Sequence, residues 1–233
     1  MRAVLFDLDG TLLDIDLPGF LGRYFAALSR TAVAEVAGDG HALDEAMKAI
    51  RLSTDTMMVP HAGYTNREVF DEEFFRLTSI HLGEHWPAFE RFYAEEFPAL
   101  GDGYGPKVGA RRAIETAREL GLKVAVATNP IFPRPAIDHR LAWAGLDDHE
   151  FDVVTSYEWM YACKPHGAYF RQTAEAMGLT PHDCLMVGDD RMLDMPAADI
   201  GMKTFYVGEH ADASSDYRGS LEDLAELLRR IVD

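Results

Sequence analysis

Short apolar runs recur along the chain, and helical patterns fill the gaps between them. The first run, Arg2-Ala-Val-Leu-Phe6, is nearly all apolar and ends at Asp7. Similar runs follow at Leu122–Ala127, Phe151–Val154, Cys184–Val187 and Thr204–Val207. Runs of this length without polar alternation read as strands buried on both faces, the habit of a parallel sheet. Apolar periodicity predicts helices over 107–120, 135–144, 167–177 and 191–200. Each predicted helix is followed by a glycine (Gly121, Gly145, Gly178, Gly201), which can end a helix in the left-handed conformation at little cost. Ser220-Leu-Glu-Asp223 predicts a capping box that opens a last helix. Strand, helix and strand repeated in this order predict an α/β fold built on a doubly wound parallel sheet.

Residues 15–103 break the alternation. Phe20, Leu21, Tyr24, Phe25 and Leu28, then Phe70, Phe74, Phe75 and Leu77, follow helical spacing, and no strand pattern stands out. The segment is far longer than an ordinary connection, so it must fold as a unit. The predicted organisation is therefore a core of residues 1–14 and 104–233 with a helical cap over 15–103, inserted after the first strand. An insertion there stands above the carboxyl ends of the strands, where open α/β sheets bind ligands. Within it, Asp55–Asn66 reads either as a plain interhelical loop or as a substrate-facing one carrying His61 and Tyr64. Gly101-Asp-Gly-Tyr-Gly105 reads as the hinge returning to the core. His81 and His85 have a zinc-compatible helical spacing but no third ligand in view, and read as surface residues.

Composition narrows the function. The 233 residues carry 39 acids against 22 bases, a formal charge of −17, which disfavours polyanionic partners: no nucleic acid and no anionic membrane surface. No apolar stretch approaches the roughly 18–20 residues of a membrane span, and no secretory pattern opens the chain. The two cysteines, Cys163 and Cys184, fall in predicted interior segments and read as buried free thiols. The expectation is a cytoplasmic protein.

The chemistry concentrates at strand ends. Asp7 and Asp9 are two apart in an extended segment and so can face one centre, and Gly10 permits the turn that follows. A second acidic group, Asp189, Asp190 and Asp194, follows the run Cys184–Val187. If the two strands are neighbours, as many as five carboxylates converge and repel one another unless a cation intervenes. All-oxygen ligation with few ligands per segment favours Mg²⁺, which binds phosphate oxygens readily. Thr128-Asn129 and Lys164-Pro165 end two further segments and supply a hydroxyl, an amide and a compact cation.

Taken together, these four signals resemble the haloacid dehalogenase (HAD) superfamily. Asp7-Leu-Asp9-Gly10-Thr11-Leu12 is similar to its first motif, Thr128 to the second, Lys164-Pro165 to the third, and Gly188-Asp189-Asp190 with Asp194 to the fourth. The resemblance covers the core, about 1–14 and 104–233, and implies a Rossmann-like sheet with a C1-type cap. It further implies a Mg²⁺-dependent phosphatase acting on a small phosphorylated metabolite through an aspartyl-phosphate. In that scheme Asp7 is the nucleophile and Asp9 the general acid and base. The metal is held by Asp7, by the backbone carbonyl of Asp9 and by Asp189, with Asp194 or Asp190 acting directly or through water. Thr128, Asn129 and Lys164 bind the phosphoryl oxygens. Asp9 argues against dehalogenation, whose enzymes typically lack the second acid. Lys48, the cap's single lysine, carries no mark of a Schiff-base role. A phosphomutase of the same superfamily and a non-catalytic phosphometabolite-binding module remain the alternatives, and the oligomeric state is left open.

Overall fold

The computed structural model describes residues 1–37, 40–210 and 213–232. Its main sheet contains β1 (Ala3–Phe6), β4 (Lys123–Val126), β5 (Val153–Val154), β6 (Cys184–Gly188), β7 (Lys203–Tyr206) and β8 (Tyr217–Arg218), in the spatial order β5-β4-β1-β6-β7-β8. All neighbouring pairs are parallel. The chain builds outward from β1 on one side, through β4 to β5, then crosses to β6 on the other. That reversal places a crevice at the carboxyl ends of β1, β4 and β6.

Strand residues alternate between two buried layers. Val4, Phe6, Val124 and Val126 face one layer, with α6 (Ala110–Glu119), α7 (Arg134–Trp143) and α9 (Leu221–Ile231). Ala3, Leu5, Ala125 and Ala127 face the other, with α8 (Gly167–Ala176). Both faces are covered, which is why the strands read as continuous apolar runs. Ser220 opens α9 with the expected capping box, accepting from the Asp223 N–H while Asp223 accepts from the Ser220 N–H and hydroxyl. Cys163 and Cys184 are buried and free. Two sequence expectations change. Residues 191–200 form a turn and a short 3₁₀ helix, Met195–Ile200, not an α-helix, because Asp190 and Asp194 bond to local backbone N–H groups and hold a turn instead. The strand Tyr217–Arg218 escaped notice, since a two-residue edge strand has no periodicity to read.

Between β2 (Leu13–Asp14) and β3 (Gly105–Pro106) the described residues are mostly helical: α1 (Leu17–Leu28), α2 (Ala34–Ala37), α3 (Gly40–Met58), α4 (Asn66–Thr78) and α5 (Leu82–Arg91), with two π-helical turns and a final 3₁₀ turn, Phe97–Gly101. β2 and β3 pair antiparallel, and Lys107 meets Asp14 at 2.9 Å, so the two ends of the insert are tied together. Helix α3 continues to Met58, so only residues 59–65 of the expected Asp55–Asn66 loop are non-helical. The insert does not stand clear of the sheet. Phe20 and Tyr24 of α1 join Phe97, Phe132 and Trp143 in an aromatic group continuous with Val4 and Val126. Gly101 has a packing reason beyond any hinge: a Cβ there would lie 2.3 Å from the Trp143 indole.

Candidate active site

Register levels the strand ends. Phe6 lies beside both Val126 and Val187, so the residues that follow each of them emerge at one height. Asp7, Thr128 and Asp189 therefore meet above the sheet, and Lys164 arrives from the loop before α8. A cavity of about 300 Å³ forms there. It is lined by Asp7, Asp9, Thr128, Asn129, Lys164, Asp189, Asp190 and Asp194, together with Ile15, Asp16, Leu17 and Pro18 from the start of the insert. All eight residues singled out at the strand ends stand at this one cavity.

Their roles in the local geometry differ. The Lys164 ammonium donates to Asp7 Oδ1 at 2.7 Å and to Asp194 Oδ1 at 2.6 Å, and is almost completely buried. Asp189 accepts from the Thr11 hydroxyl at 3.0 Å. Asn129 Oδ1 accepts from the Lys164 backbone N–H at 3.1 Å, which fixes the amide's orientation. The carbonyl of Thr128 accepts from the hydroxyls of Thr155 (2.7 Å) and Tyr169 (2.9 Å), pinning the residue at the end of β4. Asp190 differs from the other acids. Its Oδ1 accepts from the N–H groups of Met192 and Leu193, at 2.7 and 3.1 Å, and so caps the following turn.

Asp7, Asp189 and Asp194 offer carboxylate oxygens that lie within 4.8 Å of one another. Desolvation and the neighbouring Asp7 charge push the Asp189 carboxyl up to about 6. Burial also raises Asp194, despite the opposing pull of Lys164. Burial works against the Lys164 charge, yet Asp194 and Asp7 hold its pKa above the usual lysine value. The site therefore carries more negative charge than its own cations neutralise. Two glycines make the cluster possible. A Cβ on Gly10, where φ is +84°, would meet Asp189 Oδ2 at 2.3 Å, and one on Gly188 would meet Asp194 Oδ2 at 2.1 Å. Gly188→Ala is accordingly expected to push the Asp194 carboxylate off Lys164, with a loss of about 1–3 kcal/mol in chemical denaturation.

One residue of the site was missed by sequence reasoning. Arg140 of α7 is buried and its Nη1 donates to Asp9 Oδ2. Burial raises the Asp9 pKa, Arg140 pulling against it and Asp7 adding to it. Nothing in the sequence marked Arg140, whose only signal was a basic residue on the apolar side of a predicted helix. His61 and Tyr64 lie away from this cavity: His61 Nδ1 is 2.9 Å from the Val59 carbonyl, two residues before it, and Tyr64 is exposed beside Thr56 and Glu68. His81 stacks on Phe75 at 4.0 Å rather than joining His85 in a metal site.

The chain is similar to known proteins in ways that bear on this geometry. Residues 1–199 match the family model described as haloacid dehalogenase-like hydrolase. Phosphoserine phosphatase of Thermus thermophilus is 31% identical over 263 aligned positions, covering 98% of this chain and 100% of that one. Haloacid dehalogenase-like hydrolase domain-containing protein 3 of Xenopus laevis is 33% identical over 100 residues, spanning 42% of this chain and only 39% of that protein. Among solved structures, a HAD phosphatase from Thermococcus onnurineus superposes with a TM-score of 0.60 at 23% identity, covering 98% of each chain. That likeness speaks to the fold.

Proposed function

The chain belongs to the haloacid dehalogenase-like hydrolases, and we propose that it is a Mg²⁺-dependent phosphatase acting on a small phosphorylated metabolite through an aspartyl-phosphate. The observation that carries this reading is the convergence of Asp7, Asp9, Thr128, Lys164, Asp189 and Asp194 on one cavity at the switch point of the sheet. The phosphatase names of relatives support it. No helix among the described residues is long and apolar enough to cross a membrane.

The residues present fit a divalent cation. Asp7, Asp189 and Asp194 form an all-oxygen set, and burial raises the last two as expected of a site built for added positive charge. When bound, Mg²⁺ would neutralise those acids and draw phosphate oxygens toward Asp7. Lys164, with the Thr128 hydroxyl and the Asn129 amide, holds the remaining phosphoryl oxygens, so charge developing in the transfer meets groups already in place. Asp7 attacks phosphorus as Asp9 protonates the departing ester oxygen. Asp9 then takes a proton from the water that splits the aspartyl-phosphate, returning Asp7 and releasing phosphate. Asp190 supports the turn carrying Asp194, and on this reading it is not a direct metal ligand. The helical insert, whose first turn lines the cavity with Leu17 and Pro18, acts as the lid that admits substrate and excludes bulk water.

The direct test is phosphate release from a panel of sugar phosphates, nucleotides, phosphoglycolate, phosphoserine and an aryl phosphate, with Mg²⁺ and with EDTA. Metal-dependent release supports the reading. A phosphoryl group returned to a bisphosphate would report a mutase instead, and binding without turnover a non-catalytic module.

A pH dependence follows from the raised acids. A carboxyl whose folded pKa exceeds its unfolded value keeps its proton when folded, so its stability contribution is present at low pH. It is lost as pH rises, for Asp189 between about 4 and about 6. Mg²⁺ must displace those protons, so the metal binds more tightly as pH rises. The Mg²⁺ concentration giving half the maximal rise in melting temperature is expected to be about tenfold or more lower at pH 7.5 than at pH 5.5. Asp189→Asn should reduce that dependence and leave the part that comes from Asp194. An unchanged midpoint in wild type would count against Asp189 as a ligand.

A further inference from the structure

Arg140 reaches Asp9 from 131 positions away in the chain and buries its guanidinium to do so. Two contacts hold the guanidinium besides Asp9. Its Nε donates to the Ala136 carbonyl at 3.2 Å, one turn back on α7. Its plane lies over the Phe132 ring, 4.5 Å from the centroid. Phe132 is itself backed by Phe20 and Tyr24 of α1, with centroids 6.3 and 5.3 Å away. The third contact is the Asp9 carboxylate.

The pair is incomplete in an informative way. A guanidinium and a carboxylate commonly engage through two parallel hydrogen bonds. Here Arg140 Nη1 takes Asp9 Oδ2, while Asp9 Oδ1 and Arg140 Nη2 are both buried without a partner among the described residues. A contact that served stability alone would satisfy those atoms, because an orphaned buried polar atom costs free energy. Asp9 also lines the cavity of the proposed reaction.

We propose that Arg140 is the positioning residue of Asp9, gripping Oδ2 so that the carboxyl group is held at the edge of the cavity where it exchanges protons with the substrate. The proposal rests on the phosphatase reading above. In the first half-reaction the Asp9 carboxyl proton passes to the ester oxygen as its bond to phosphorus breaks and the Asp7–phosphorus bond forms. In the second, water's oxygen bonds to phosphorus, its proton passes to the Asp9 carboxylate, and the Asp7–phosphorus bond breaks. Arg140 touches neither substrate nor water in these steps. It keeps one carboxylate oxygen committed and the carboxyl plane aimed, with Phe132 as the back wall that stops the guanidinium from swinging away.

Leaving-group chemistry separates positioning from general damage. An alkyl phosphate needs its departing oxygen protonated, whereas p-nitrophenolate leaves unaided. With the Mg²⁺-loaded full chain, the first phosphoryl transfer is followed by rapid mixing for p-nitrophenyl phosphate and for an alkyl phosphate that the wild type accepts. Arg140→Gln is expected to slow transfer from the alkyl ester about 100-fold or more, the usual scale of general-acid catalysis, but the nitrophenolate burst less than about fivefold. Asp9→Asn added to Arg140→Gln should bring little further loss. Equal slowing of both esters, or full multiplication of the two losses, would overturn the proposal. Should Arg140→Gln fail to fold, Phe132→Leu keeps the charge pair and should show the same preference at about five- to tenfold, and equal slowing there overturns it too. A second readout does not need turnover. The Arg140 guanidinium N–H signals in nitrogen-15 NMR should shift and exchange faster in Asp9→Asn, and stay unmoved in Asp190→Asn. If the wild type hydrolyses neither ester, the phosphatase reading fails by itself. The NMR comparison then decides the pairing, and signals indifferent to Asp9→Asn would sink it.

Discussion

Asp7→Asn should lower phosphate release by on the order of 10⁴-fold or more while leaving the protein folded. The amide keeps the shape of the carboxylate but cannot form the acyl phosphate, so no covalent intermediate is made at all. Asp7 sits at the end of the central strand β1, its backbone N–H donating to the Val187 carbonyl at 2.9 Å, and that bond is untouched by the substitution. Its side chain loses one charge from a cluster short of cations, so melting temperature in EDTA should hold or rise. The measurement is steady-state release beside acid-quench trapping of labelled phosphate on the protein. Release in Asp7→Asn within tenfold of wild type would mean that another group attacks phosphorus.

Lys164→Met is the second change with a large expected effect, and here stability leads. Lys164 is buried between Asp7 and Asp194, with bonds of 2.7 and 2.6 Å. Removing one partner of a buried ion pair leaves uncompensated charge, at a cost of about 3–5 kcal/mol. For a chain of this size each kcal/mol corresponds to roughly 2–4 °C in melting temperature. The loss should be greatest in EDTA above pH 7, where the carboxylates are ionised. It should shrink on acidification, because Asp194, already raised by burial, can then take up a proton. Saturating Mg²⁺ should recover part of the stability, whereas phosphate release should stay low for want of the ammonium proposed to meet the phosphoryl oxygens. Differential scanning calorimetry with and without metal at two pH values reads all of this. A melting temperature unaffected at pH 8 in EDTA would show that the pair contributes little.

Much of the core was legible because burial on both faces imposes a pattern that a short segment cannot hide. Ala3–Phe6, Lys123–Val126 and Cys184–Gly188 are apolar at nearly every position, and each ends where the site begins. The acids stood out since charge directly after such a run must face something other than the core. Other features had no such signature. The pairing of Leu13–Asp14 with Gly105–Pro106 joins segments about 90 positions apart and is too short for periodicity to report. The acids at 189–194 looked alike in one dimension. Only the turn geometry separates Asp190, which caps local N–H groups, from Asp194, which turns inward to Lys164.

By itself, then, the sequence determined the α/β alternation, the mainly helical pattern of 15–103 and the residue types that gather at the strand ends. These follow from local pattern, since strand burial, helix periodicity and turn chemistry are read within a few residues. The tertiary structure alone decided what each side chain faces. Strand register brought Asp7, Thr128 and Asp189 to one height, and two glycines without a Cβ let Asp189 and Asp194 crowd close. Packing of α7 against β2 and the Phe97–Gly101 turn put Arg140 on Asp9. A buried arginine has no pattern of its own in a helix. Its partner is set by the approach of two elements distant in sequence, which only the folded chain specifies.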